Sequence, residues 1–211
     1  MTGPDPQLVA RAETMLRAVG WQVLRTADLA EARTYLADLV SPGDLVVTHS
    51  SRAIALVEAA LHERGARVKE FGPNHPAADG RGRETLQAAQ VGLTGATAVV
   101  AETGTILLAE DDGYGRLVSN LPYTHVVVAP LYKLVPRLED ALERAREYAR
   151  LVLGKPVARY VSGISGPSKT GDVEFQIVQG MHGPGRVHLI LLEVAPGPEQ
   201  VDGVSMDLLC S

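Results

Sequence analysis

Residues Leu45–Phe71, LVVTHSSRAIALVEAALHERGARVKEF, set the expected architecture. Leu45 to Thr48 is a short apolar run rich in β-branched residues, as strands favour. From Ser51 to about Arg64 the residues Ile54, Leu56, Val57, Ala60 and Leu61 recur at helical spacing, and Gly65 stops the helix. Ala66 to Phe71 then reads as the next strand. A strand, a turn at His49-Ser50-Ser51, a helix and a second strand therefore follow one another, and the alternation continues on either side. It predicts an α/β fold, a mostly parallel central sheet with helices on both faces.

Upstream, Asp5-Pro6 reads as a cap and a first helical position, and Leu8, Val9, Ala12, Met15, Leu16 and Val19 form an amphipathic stripe ending at Gly20. Trp21 to Leu24 is a short strand, and Asp28 with Glu31 resembles a capping box opening a helix to about Val40. Downstream, residues 72–83 are rich in Gly, Pro, Asn and charge and read as a mobile, lid-like loop, and Glu84 to Gly92 as a weak helix. Ala96 to Ala101 and Ile106 to Ala109 form a hairpin turning on Gly104. A turn follows at Asp111, Asp112, Gly113 and Gly115, then a strand from Thr124 to Ala129. Leu138, Ala141, Leu142, Ala145, Tyr148, Ala149 and Val152 give the clearest helical stripe, opened near Pro136 and closed at Gly154. One domain over residues 1–195 is expected, followed by a tail at 196–211 whose apolar residues dock on the body or make the chain a scaffold or homo-oligomer.

Composition narrows the function classes. Of 211 residues 45% are hydrophobic but only 4% aromatic, so aliphatic side chains fill the core and stacking platforms are not expected. A net charge of −5, with no Lys/Arg run, opposes a nucleic-acid partner. One cysteine, Cys210, gives no intrachain disulfide and no cysteine set for an iron–sulfur cluster, so no cofactor is expected in this chain. The first residues lack signal-peptide character and no apolar run approaches a bilayer span, so a cytoplasmic protein without a membrane partner is expected.

The residues with chemical potential concentrate in Tyr160–Glu193, YVSGISGPSKTGDVEFQIVQGMHGPGRVHLILLE. Two glycine-punctuated turns, 163–171 and 180–185, lie against apolar runs. The first nearly matches a phosphate-binding loop, but Ser168 stands where the second glycine would let the backbone wrap a phosphate, which argues against nucleotide hydrolysis. Two readings remain open. Backbone N–H groups from Ser168 to Gly171, at the start of a short helix, bind an anion with Lys169 as counter-charge; or Ser168, Thr170 and Asp172 simply cap that helix. Gly166 and Gly183 are candidate points of close backbone approach to the ligand. His182, in the second turn, is a candidate acid or base if the turns converge. Glu102-Thr103-Gly104-Thr105 sets a carboxylate and two hydroxyls at the hairpin apex, with Glu102 a second catalytic candidate facing a crevice. His49-Ser50-Ser51-Arg52 is another helix entrance able to hold an anion, but the favoured reading is that Ser50 or Ser51 simply caps the helix. The remaining histidines show no ligand spacing with one another, so no metal site is expected.

Three motifs together resemble the lactate-utilisation protein C family, whose common unit is the LUD domain: VGLTGATAVVAETGTILL at Val91–Leu108, SGPSKTGDVE at Ser165–Glu174 and GMHGPGRVHLILLE at Gly180–Glu193. SNLP at Ser119–Pro122 and VVVA at Val126–Ala129 lie between them in the family's order. Gly171 departs from an expected alanine, and Met181 from valine. The resemblance implies a fold similar to the ribose-5-phosphate isomerase, glucosamine-phosphate deaminase and coenzyme A transferase superfold. It also implies a part in oxidising L-lactate to pyruvate alongside iron–sulfur partner proteins that carry the clusters. The alternative, from the residues alone, is an independent enzyme or binding module for a phosphate, carboxylate or coenzyme A compound.

Overall fold

The computed structural model describes residues 5–49, 51–72, 82–171, 177–179, 183–193, 200–201 and 204–205. Helix α1 (Pro6–Ala18) opens as expected, with the Asp5 carboxylate accepting from the Gln7 N–H at 2.9 Å. Pro6 sits where a missing N–H costs nothing, and Val9, Ala12 and Leu16 are buried along one face. Strand β1 (Gln22–Thr26) follows, then α2 (Leu29–Asp38), whose cap Asp28 accepts from the Ala30 N–H. After β2 (Leu45–His49), the single helix expected to Arg64 is two short ones, α3 (Arg52–Ala55) and α4 (Ala59–Glu63). Between them, tighter bonds spanning three residues, such as Val57 N–H to Ile54 O at 2.9 Å, carry Val57 wholly into the core.

Strand β3 (Arg67–Phe71) leads to α5 (Gly82–Ala88) and β4 (Val91–Thr94). The expected helix through Gly92 is thus corrected: it stops at Ala88, and Gly92 belongs to a fully buried strand. The glycine is there for space, because a Cβ would lie 2.0 Å from the Val118 carbonyl oxygen. Strands β5 (Ala98–Val100) and β6 (Thr105–Glu110) form the expected antiparallel hairpin, with Gly104 at φ +65. The chain continues through α6 (Tyr114–Asn120), β7 (Thr124–Pro130), the short β8 (Leu134–Val135), α7 (Leu138–Leu151) and β9 (Tyr160–Ile164). Strands β10 (Lys169–Gly171) and β11 (Ile177–Gln179) pair antiparallel, and β12 (Arg186–Leu192) completes the main sheet. In the tail, Gln200–Val201 pairs with Val204–Ser205. The lid-like reading of 72–83 and the docking of the tail fall mainly outside the described residues.

Six strands form one parallel sheet in the order β1-β12-β7-β4-β2-β3. Its central strands, THVVVAP and RVHLILL, are nearly continuous apolar runs because both faces are covered. Helices α2, α3 and α4 cover one face, where Leu36, Ile54 and Leu61 meet Leu93, Val126 and Ile190. The other face is shared. Helix α1 packs there with Val99 and Ile106 of a second sheet, ordered β8-β5-β6-β9, and α7 covers that sheet's far side through Ala141 and Ala145. Phe71, Leu86 and Val118 join α5 and α6 to the β2–β3 end. The parallel sheet is as expected, but the Gly104 hairpin lies outside it. Among the described residues no helix is long and apolar enough to cross a membrane.

Candidate functional site

From β2 the chain departs toward β3, and from the adjacent β4 it departs the other way, toward β7. Open α/β sheets leave a crevice beyond the strand ends where the order reverses in this way. Here it is a cavity of about 290 Å³, lined by His49 at the end of β2, Gly95 after β4, Pro130 at the end of β7 and Glu110 at the end of β6. Tyr148 of α7 closes another side. Gly95 is needed for close approach, since a Cβ there would lie 2.4 Å from Ser51 Oγ.

Three titratable groups converge here, His49 and Glu110 in the cavity wall and Asp112 beside His49. Glu110 is only 4% exposed, and its two oxygens accept from the Gly115 and Arg116 N–H groups, each at 2.6 Å. Asp112 Oδ1 accepts from the Tyr114 N–H at 2.9 Å. His49 Nε2 lies 3.7 Å from Glu110 Oε2 and 3.4 Å from Asp112 Oδ1. That nitrogen is buried and has no hydrogen-bond partner. Burial pushes the Glu110 carboxyl above its usual range and neighbouring Asp112 pushes the same way, while the Arg116 and Gly115 amides and His49 oppose them. Asp111, next in the chain, is used differently: it accepts from the Arg159 N–H and pairs with Lys155, tying down the segment after α7.

The residues singled out from the sequence fall elsewhere. Glu102 is half-buried, and its Oε1 accepts from the Leu138 N–H at 2.9 Å, so it caps α7. Thr103 donates to Thr105 Oγ1 at 2.8 Å, and Thr105 shares a 2.7 Å hydrogen bond with Ser165. At the same apex, a Cβ on Gly104 would lie 2.7 Å from the Met15 carbonyl oxygen, so the turn seats against the end of α1 rather than against the cavity. The two late turns do meet: the Ser168 N–H donates to Pro184 O at 2.8 Å, and a Cβ on Gly183 would lie 3.3 Å from Ser168 Cβ. Gly166, at φ +89, passes so near Val19 that a Cβ would lie 2.0 Å from its carbonyl oxygen. Lys169 is exposed and opens β10, as Thr170 continues it. This corrects the short helix expected at Ser168: Lys169–Gly171 is a strand, and the Ser168 N–H is spent on Pro184 O. Asp172 and His182 lie outside the described residues. Among the described residues, neither late turn lines the cavity.

Sequence spacing missed the Glu110 and Asp112 partnership with His49, because 61 positions separate His49 from Glu110. The signal available was positional: each of these two ends an apolar strand, His49 closing LVVTH and Glu110 closing TILLAE.

The family model for the LUD domain matches residues 9–192. A protein named Lactate utilization protein C, from Anoxybacillus flavithermus, is 35% identical over 115 residues, covering 53% of this chain and 49% of that protein. An Escherichia coli protein named Uncharacterized electron transport protein YkgF is 29% identical over 184 residues, covering 85% of this chain and 36% of that protein. The matched part of this chain thus spans about half of the first relative and about a third of the second. A crystal structure of a DUF162 family protein from Deinococcus radiodurans superimposes with a TM-score of 0.62, covering 88% of this chain and 96% of that one. At 20% identity that likeness speaks for the fold alone.

Proposed function

The chain belongs to the LUD domain family, and from that premise we propose that it serves lactate utilisation as a cytoplasmic subunit without a cluster of its own. Its assembly oxidises L-lactate to pyruvate, and iron–sulfur partner proteins take the two electrons released. The observation that carries this reading is the 35% identity to a protein named for lactate utilisation. Two others support it. The relative named as an electron transport protein matches 85% of this chain, and one cysteine cannot furnish the thiolate set that an iron–sulfur cluster takes. The cavity beside His49 has room for a small organic molecule, since about 290 Å³ corresponds to about ten waters at roughly 30 Å³ each.

Deleting the chain should abolish growth on L-lactate while leaving growth on pyruvate intact, and restoring it should recover growth. Unchanged growth on lactate overturns the proposal. The purified chain should show no lactate-dependent electron transfer by itself and should gain it with its iron–sulfur partners; full activity alone removes the need for them.

A second reading is favoured by the contact between Ser168 and Pro184. In it, the converged turns bind a phosphate, carboxylate or coenzyme A compound with Lys169 as counter-charge. Losing a charge-assisted contact of roughly 1.5–3 kcal/mol should weaken binding tenfold or more in Lys169→Ala. Calorimetry with inorganic phosphate tests it, and equal affinity in the variant rejects it.

A further inference from the structure

We propose that His49, Glu110 and Asp112 bind a divalent transition-metal ion at the head of the switch-point cavity. One imidazole nitrogen and one oxygen from each carboxylate lie within 4.8 Å of one another. The nitrogen is 3.4 Å from Asp112 Oδ1 and 3.7 Å from Glu110 Oε2. Donors about 2.0–2.2 Å from a shared ion stand roughly 3–3.5 Å apart in a tetrahedral arrangement, so small side-chain adjustments bring these three onto one ion.

A second observation points to a ligand independently of that spacing. His49 Nε2 is shielded from solvent and makes no hydrogen bond, even with Asp112 alongside. Trp21 Nε1, His125 Nδ1 and His188 Nε2 are also buried without a partner, but of these four nitrogens only His49 Nε2 belongs to a residue lining the cavity, where a metal ion supplies what it lacks. Gly115 passes close to the other ring nitrogen: a Cβ there would lie 3.2 Å from His49 Nδ1 and 2.8 Å from Glu110 Oε2. A glycine at this position leaves the imidazole and the carboxylate room to stand together.

The carboxylates are already oriented. The Gly115, Arg116 and Tyr114 N–H groups hold Glu110 and Asp112 from behind, the kind of outer support that fixes metal ligands. Two neighbouring carboxylates, one almost wholly buried, repel each other unless a cation or a shared proton lies between them. A nitrogen with two oxygens suits Zn²⁺ or Mn²⁺, since imidazole favours the first and carboxylates the second. Three protein ligands leave at least one coordination position for the cavity. On the lactate reading, and only on it, the occupant is a 2-hydroxy acid chelating through its hydroxyl and carboxylate.

The test uses the full chain, stripped with a chelator and titrated separately with Zn²⁺ and Mn²⁺ near pH 7.5 by calorimetry. One ion per chain should bind, and His49→Gln and Asp112→Asn should each lower affinity at least tenfold while retaining the wild-type circular dichroism spectrum. In ¹⁵N-histidine-labelled wild-type protein, Zn²⁺ should shift the His49 Nε2 resonance, a readout that needs no variant. Failure of both ions to bind, or binding with His49 unshifted, overturns the site and leaves a shared proton as the link between the carboxylates. Adding L-lactate to the Mn²⁺ form should lower water-proton relaxation enhancement as the chelate displaces bound water. Metal binding without that response rejects the hydroxy-acid occupant and retains the ion, so the two readings fail separately.

Discussion

At the scale of single residues, two buried histidines make folding sensitive to acid. His125 hydrogen-bonds Thr94 at 2.8 Å and His188 hydrogen-bonds Tyr35 at 2.9 Å, on neighbouring strands of the parallel sheet. Burial lowers His125 from 6.5 to about 3, with His188 adding to the effect, and burial with Arg186 lowers His188 to about 4. The unfolded chain takes up protons below about pH 6.5, whereas these native imidazoles stay neutral. Stability therefore falls with decreasing pH, by up to about 1.4 kcal/mol per pH unit for each histidine, until the folded values are reached. Urea midpoints should drop between pH 7 and pH 5, and His188→Gln should reduce that drop; an unchanged slope in the variant refutes the assignment. Gly166 makes a different demand, combining φ +89 with the close Val19 carbonyl. Gly166→Ala should lower the melting temperature by about 5 °C or more, since positive-φ strain alone costs about 1–3 kcal/mol. Gly154→Ala, at φ +63 with nothing within 4 Å, should fall less. Equal losses would leave the carbonyl contact without effect.

At the scale of elements, Glu102 shows how a residue striking in sequence acquires a structural occupation. Its carboxylate accepts from the first N–H of α7, while Asp140 reaches back to the Arg137 N–H at 3.1 Å. Glu102→Ala should cost about 0.5–2 kcal/mol, as cap removals do, and Glu102→Gln should recover most of it. Chemical denaturation measures both. If the glutamine variant keeps stability but loses lactate-dependent function in the assembly, the carboxylate does chemistry as well as capping. Helices α1, α2 and α7 were legible in the sequence because a cap, an apolar stripe or both mark each of them over ten residues or more. Strand β4 was hidden because Gly92, placed for the Val118 carbonyl, reads as a helix stop. Helix α6 was hidden because seven residues beginning YGR carry too short a stripe. The phosphate-loop likeness at Ser168 misled because glycine and proline mark turns without saying whether a helix or a strand comes next.

At the scale of the whole molecule, alternating strands and helices disclosed the parallel sheet, but nothing local announced that β5, β6, β8 and β9 would form a second one. That choice depends on which faces remain uncovered after α1 packs, which is a property of the assembled core. The site was illegible for the same reason, since His49 and Glu110 come from different sheets and meet only when both are stacked. This layering predicts a gradient of protection in native-state hydrogen exchange. Amides of β7, flanked on both sides and buried at every residue, should exchange slowest, and those of edge strands β1 and β3 markedly faster. Comparable rates across the sheet would contradict a single shared core. Glu110, held by two backbone amides, carries one consequence further. A carboxylate gripped at both oxygens has surrendered the freedom to follow its guest. Discrimination at this spot would then work by refusal: a molecule of the wrong outline is turned away, because the wall does not bend to receive it.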